Sequence, residues 1–177
     1  LDINGSPIGG LTGFMRSLQK EVRRANPDRV VVCWEGPGSS QKRREKNKNY
    51  KLGRKAPRLN REYEFNSPEE EKENKYSQVV RLTEYLDQLP ILQLSLESVE
   101  ADDIIAWLCH SHEYSEWQKL IISNDKDFIQ LCDGKTVLVR PGKNEEVLNQ
   151  NNVIEQYNIH PRNFAIARAI TGDKSDN

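Results

Sequence analysis

Leu11, Phe14, Met15, Leu18 and Val22 recur three or four residues apart, a spacing that predicts an amphipathic helix over residues 10–25. Asn26-Pro27-Asp28 stops it. Residues 29–34 (RVVVCW) form a short, β-branched, wholly apolar run, the pattern of a buried parallel strand. Ser67-Pro68-Glu69-Glu70 reads as a capping box with proline at the first helical position, and the helix it opens is expected to run to about residue 89. Residues 91–95 are a candidate strand. Residues 100–110 predict a helix with Ala101, Ile104, Ile105 and Leu108 turned inward. Residues 120–123 (LIIS) predict a strand, 128–131 the start of a helix, 136–139 a further strand, and 151–157 and 161–170 two short helices. Strands alternating with helices imply an α/β fold with a mostly parallel central sheet and helices on both faces.

Composition adds limits. The chain has 177 residues, 36% of them hydrophobic and 30% charged, which suits one domain with a true core and much solvated surface. No apolar run approaches the roughly 20 residues of a membrane span, and no basic segment followed by an apolar one opens the chain. Cys33, Cys109 and Cys132 are an odd count in unrelated contexts and read as free thiols of a reducing cytosol.

Charge changes the picture more. The net charge is −1, yet residues 42–61 carry ten Lys/Arg and one acid, Glu45, a local excess of +9 that leaves −10 elsewhere. Such separation provides one surface for an anion and acids free to hold a cation. The basic stretch has no apolar period and is flanked or broken by Gly36, Pro37, Gly38, Gly53 and Pro57, so it is expected to be mobile or only partly helical. A solvated basic face or a localisation signal would have the same composition.

The acids form three clusters: Glu100-Ala101-Asp102-Asp103 at a helix start, Asp125-Lys126-Asp127 after the LIIS strand, and Asp173 and Asp176 in GDKSDN at the chain end. Glu35 follows the RVVVCW strand. In open parallel sheets, ligands gather beyond the carboxyl ends of strands. Glu100 and Asp103, three apart, share a helix face. Each cluster also has a plain structural reading: helix cap, dipole partner or solvated turn. A site rich in carboxylates and without a matching His/Cys set suits hard ions such as Mg²⁺ or Mn²⁺. His110 and His112 fall at a helix end, and His160 precedes Pro161 in a turn.

These segments resemble a known family. VEADDIIAWL (99–108), SNDKDFIQL (123–131) and ITGDKSDN (170–177) are similar, in order and spacing, to three motifs of the 5′-nucleases, the family of bacterial and phage 5′–3′ exonucleases and flap endonucleases. Asn124 stands where the family has glycine. VVVCWEG (30–36) resembles the strand that ends in F-D-G in the family, with Glu35 in place of the aspartate, and RREKNKNYKLGRK (43–55) resembles its basic arch.

The resemblance implies a PIN-like 5′-nuclease fold over residues 1–177, with a basic, partly flexible helical arch at about 38–66. The family's first metal-ligand strand would lie before Leu1 and its helix-hairpin-helix element after Asn177. Asp2 follows no apolar strand and is not assigned as the ligand of that first strand. The resemblance further implies a metal set of Glu35, Glu100, Asp102, Asp103, Asp125, Asp127, Asp173 and Asp176, holding two Mg²⁺ or Mn²⁺ ions directly or through water. Lys51 and Arg54 would face the scissile phosphate, Lys42, Arg43 and Arg44 would grip neighbouring phosphates, and Tyr50 would stack on a base. The expected reaction is hydrolysis of DNA, or of RNA in an RNA–DNA hybrid, near a 5′ end, flap or branch. The expected setting is a monomer in the cytoplasm of a bacterial or phage-infected cell, with replication proteins as candidate partners. The alternatives are a catalytically weakened relative that binds branched DNA, and a related ribonuclease.

Overall fold

The structure is a computed structural model that describes residues 1–39, 45 and 63–172. The chain divides into two compact units, Leu1–Val32 with Lys55–Leu94, and Cys33–Arg54 with Ser95–Asn177.

The first unit contains α1 (Gly9–Ala25), β1 (Val30–Cys33, whose last residue falls to the second unit), α2 (Pro68–Asp87) and β2 (Ile91–Leu94). Helix α1 follows the predicted apolar stripe, with Leu11 buried. It ends at Asn26, which takes the left-handed conformation (φ 44°) and returns its N–H to the Val22 carbonyl, with Pro27 next. Its N-cap residue, Ile8, has no side-chain oxygen to offer. The side chain of Gln78 on α2 serves instead, accepting the Leu11 N–H at 3.1 Å. Helix α2 starts where the capping signal places it: the Ser67 hydroxyl accepts the Glu70 N–H at 3.1 Å. The reciprocal arm is shifted by one residue, since the Glu70 carboxylate accepts the Asn66 backbone N–H at 2.9 Å. Strands β1 and β2 form a two-stranded sheet. The four residues of β1 are half-buried, not fully buried as the apolar run predicts; among the described residues the strand has one paired neighbour, and such a strand keeps an open edge.

The second unit contains α3 (Ala101–His110), β3 (Lys119–Ile122), β4 (Thr136–Arg140), β5 (Glu146–Leu148), α4 (Gln150–Tyr157) and α5 (Phe164–Thr171). β3 and β4 are parallel, in register Lys119 to Thr136 through Ile122 to Val139. β5 adds antiparallel to β4, pairing Leu138 with Leu148 and Arg140 with Glu146. The α/β class expected from the alternating pattern is therefore present. Among the described residues the strands form one sheet of two and one of three, the second with an antiparallel edge.

Residues 128–131, expected to start a helix, fall within a 3₁₀ helix, Lys126–Leu131. Its three-residue turn sets Ile129 above Cys132, and both are buried together with Phe128. The core of this unit joins these residues to Ile121, Leu138, Leu148, Val153 and Phe164. Each such side chain contributes about 1.5–3 kcal/mol by leaving water.

Candidate metal centre

The chain turns extended at Glu100 (φ −77°, ψ 153°), and its carbonyl accepts the first helical hydrogen bond of α3, from the Ile104 N–H at 3.3 Å. Glu100 thus occupies the N-cap position. Its side chain makes no capping hydrogen bond, although the residue is only 3% exposed. The plain reading of this acid as a helix cap is not what the structure forms. Asp102, half-buried, and Asp103, exposed, follow in the first turn, and Asp102 accepts the Asp103 N–H at 2.8 Å.

One carboxylate oxygen from each of Glu100, Asp102 and Asp103 lies within 4.8 Å of the others, and among the described residues no other group of three or more such side chains meets this test. Oxygens bound at about 2.1 Å on opposite sides of a Mg²⁺ ion are about 4.2 Å apart. Neighbouring oxygens on the same ion sit closer, about 3.0 Å apart, so a single ion would have to draw the three together from the 4.8 Å that bounds them here. Three carboxylates at this spacing repel by about 1 kcal/mol per pair even in water. A hard cation reverses the sign, and the positive end of the α3 dipole reduces the repulsion meanwhile. The donor set, all carboxylate oxygen, suits Mg²⁺ or Mn²⁺.

Glu35 is exposed and lies two residues beyond the end of β1. Its loop is fastened to the turn that leads into Glu100. The Gly36 N–H donates to the Val99 carbonyl at 3.1 Å, and the Ser98 N–H donates to the Pro37 carbonyl at 2.8 Å. Glu35 and Glu100 are thus each the immediate neighbour of a directly bonded residue. This clamp requires glycine: a Cβ at position 36 would fall 1.7 Å from the Leu96 carbonyl oxygen. Ser98 itself takes a left-handed backbone (φ 60°) to present its N–H. The clamp is absent from the sequence expectations; the glycines of the Gly36-Pro37-Gly38 run are the one local signal that fits a close backbone approach, and nothing local marks Ser98.

Asp125 and Asp127 stand at the carboxyl end of β3, as expected, but do not join the three-carboxylate group. Asp125 caps the 3₁₀ helix, accepting the Asp127 N–H at 2.9 Å, and its own N–H donates to the Ser123 hydroxyl at 3.1 Å. Asp127 is paired with Arg168 of α5, a partner the sequence did not announce. Asp2 accepts the Asn4 and Ser6 N–H groups in a turn and pairs with Arg81 at 3.8 Å. His160 accepts the Arg162 N–H at the start of the 3₁₀ helix Pro161–Asn163, a turn role. Lys42, Arg43, Arg44, Tyr50, Lys51, Arg54, Asp173 and Asp176 lie outside the described residues.

The thiols are poor nucleophiles. Burial, with a further contribution from Cys109, pushes Cys33 up to about 11. Burial likewise pushes Cys132 up to about 11, against a backbone hydrogen bond at Leu138 that acts the other way. Among the described residues no helix is long and apolar enough to cross a membrane.

Comparison with known proteins matches residues 2–158 to the family described as "5'-3' exonuclease, N-terminal resolvase-like domain". The chain is 30% identical over 174 residues to a 5′–3′ exonuclease of Buchnera aphidicola subsp. Schizaphis graminum, an alignment covering 97% of this chain and 55% of that protein. It is 31% identical over 179 residues to DNA polymerase I of Streptococcus pneumoniae, covering 99% of this chain and 19% of the polymerase. The chain thus spans about half the length of the curated exonuclease. Two phage T5 structures share the fold. One is a T5 protein co-crystallised with metal ions (TM-score 0.69, 20% identity, 94% of this chain and 60% of that one). The other is a T5 flap endonuclease in complex with DNA and metal ions (TM-score 0.64, 19% identity, the same coverage).

Proposed function

This chain belongs to the family of 5′–3′ exonuclease N-terminal, resolvase-like domains, and on that premise we propose that it is a metal-dependent 5′-nuclease acting on DNA phosphodiesters near 5′ ends, flaps or branches. The observation that carries the reading is the group of Glu100, Asp102 and Asp103, with donor atoms within 4.8 Å of one another and its buried member not used as a helix cap.

The chemistry that bound divalent ions supply, two Mg²⁺ or Mn²⁺ on this reading, is stabilisation of charge on the attacking and leaving oxygens of a phosphodiester. Glu100, being buried, holds a fixed oxygen at the base of the site. Asp103, being exposed, is the member that faces substrate. Glu35, tied to the same turn, would extend the set outward. Asp125, Asp127, Asp173 and Asp176 would complete it directly or through water. Lys51 and Arg54 would offset charge that develops on the scissile phosphate. Lys42, Arg43 and Arg44 would hold flanking phosphates, and Tyr50 an unpaired base.

On the same reading, residues 1–177 form the catalytic region with its arch at about 38–66, working as a monomer in the cytoplasm. RNA in an RNA–DNA hybrid is a second substrate and replication proteins are partners. The test is cleavage of a labelled 5′-flap DNA with Mg²⁺, with Mn²⁺ and with EDTA. Metal-dependent release of the flap, abolished in Glu100→Gln and Asp103→Asn, is the expected result. Binding of the branched DNA without cleavage under any metal would replace this reading with that of a DNA-binding relative.

A further inference from the structure

Helix α1 carries a feature that the carboxylate site does not use. Arg16, Gln19, Lys20, Arg23 and Arg24 are all exposed and recur three or four apart, so they share one face. Together they line one open, shallow depression. Four of the five are cations, and no acid stands among them. Glu21 lies beneath this face, 2% exposed, and its carboxylate pairs with Arg24 at 2.5 Å and Lys20 at 3.7 Å. A buried acid therefore holds two of the cations from below and offsets one of the four charges.

The helix keeps a net charge of +3, which with the +9 of residues 42–61 leaves −13 over the rest of a chain whose total is −1. Positive charge is concentrated in these two segments. The opposite side of α1 is largely taken up within the protein: Leu11 is buried, Phe14, Met15 and Leu18 are half-buried, and the helix packs against α2, with Val22 alone of the stripe exposed. A membrane-surface helix needs its apolar side free. What remains is a rigid row of cations, Arg16 to Arg23 spanning roughly 10 Å at the helical rise. Its natural counterpart is a polyanion of dense, regular charge, and duplex DNA carries one charge per roughly 1.7 Å of axis.

We propose that this face of α1 is a second nucleic-acid contact, which seats the phosphate backbone of a DNA duplex without reading its sequence. The choice of DNA over other polyanions rests on the nuclease reading. The contact positions the duplex and carries no base readout.

Binding of a fluorescent, blunt 20-base-pair duplex to the full chain is measured by anisotropy in EDTA over a salt series, so that cleavage plays no part. The variant is Arg16→Ala with Arg23→Ala, which leaves the Glu21 pairs intact. The expected result is roughly tenfold weaker binding at low salt and a log–log salt slope shallower by about 2. Unchanged helical content by circular dichroism and retained binding in Arg16→Lys with Arg23→Lys would accompany it. Equal affinity and slope in the alanine variant would overturn the proposal. So would charge-dependent binding to phosphatidylserine vesicles with duplex binding unaffected. A flap cleavage assay on the same preparations separates the two readings. Charge-dependent duplex binding without cleavage would sink the nuclease and leave this surface standing. Cleavage with charge-independent binding would do the reverse.

Discussion

At the scale of single residues, the strongest constraint is the buried Glu100 beside two further acids. Glu100→Gln keeps shape and removes one charge, so flap cleavage is expected to fall on the order of 10²-fold or more. Its melting temperature in EDTA should be unchanged or higher, because like-charge repulsion is relieved. A loss of cleavage that simply tracks a loss of fold by circular dichroism would contradict this. Gly36 carries a different constraint. Gly36→Ala forces a Cβ to within 1.7 Å of the Leu96 carbonyl oxygen and is expected to cost about 1–3 kcal/mol in urea denaturation, with weaker Mn²⁺ binding by titration. The thiols give a third check. With Cys33 and Cys132 pushed up to about 11, thiolate is scarce at pH 8, and alkylation should be slow until the chain is unfolded. The acidic triad was legible in the sequence because its members lie within four consecutive positions. The Asp127–Arg168 pair and the Gly36–Val99 bond were not, because each joins residues that only the folded chain brings together.

At the scale of elements, helix signals of local origin were the most readable. Ser67 caps α2 as its motif predicts, and Ser67→Ala should cost about 1 kcal/mol, seen as a shifted denaturation midpoint. β5 escaped notice because Glu146-Val147-Leu148 is too short to show alternation. It is held by its ladder and by the cross-strand pair of Arg140 and Glu146. The side-chain amide of Gln156, at 2.9 Å, is the largest influence on Glu146 and, with Arg140 and against desolvation, holds its carboxyl below the ordinary 4.5. A depressed carboxyl contributes stability that is fully present above its ordinary value and lost as pH falls through its folded value. Thermal stability should therefore drop as pH goes below about 4.5, and Glu146→Gln should flatten that drop. An identical acid profile in the variant would remove Glu146 as a contributor. Residues 128–131 read as the start of a helix, and F-I-Q-L suits either helix type; the structure makes it a 3₁₀ helix beginning at Lys126. The Asp125 cap and the stacking of Ile129 over Cys132 select the tighter turn.

At the scale of the whole molecule, a site of gathered acids makes a bound cation act on stability in a way that can be measured. A divalent ion that binds only the folded state stabilises by about 2.7 kcal/mol at a concentration 100 times its Kd. Mn²⁺ should therefore raise the melting temperature, EDTA should reverse the rise, and a Glu100→Gln, Asp103→Asn double variant should show no response. The α/β class was legible from strands alternating with helices. The division of the described strands into a two-stranded and a three-stranded sheet was not, because strand pairing is decided by partners distant in sequence. The same distance shapes how the protein comes into being. The bond from Gly36 to Val99 closes the entire stretch from 37 to 98, and closing a loop of that length costs entropy before any contact repays it. The loop that carries Glu35 and the turn that leads into Glu100 are therefore expected to join late in folding. A chain that has not made this closure lacks the clamp between the Glu35 loop and α3, so on the nuclease reading cleavage should return on refolding no faster than that closure.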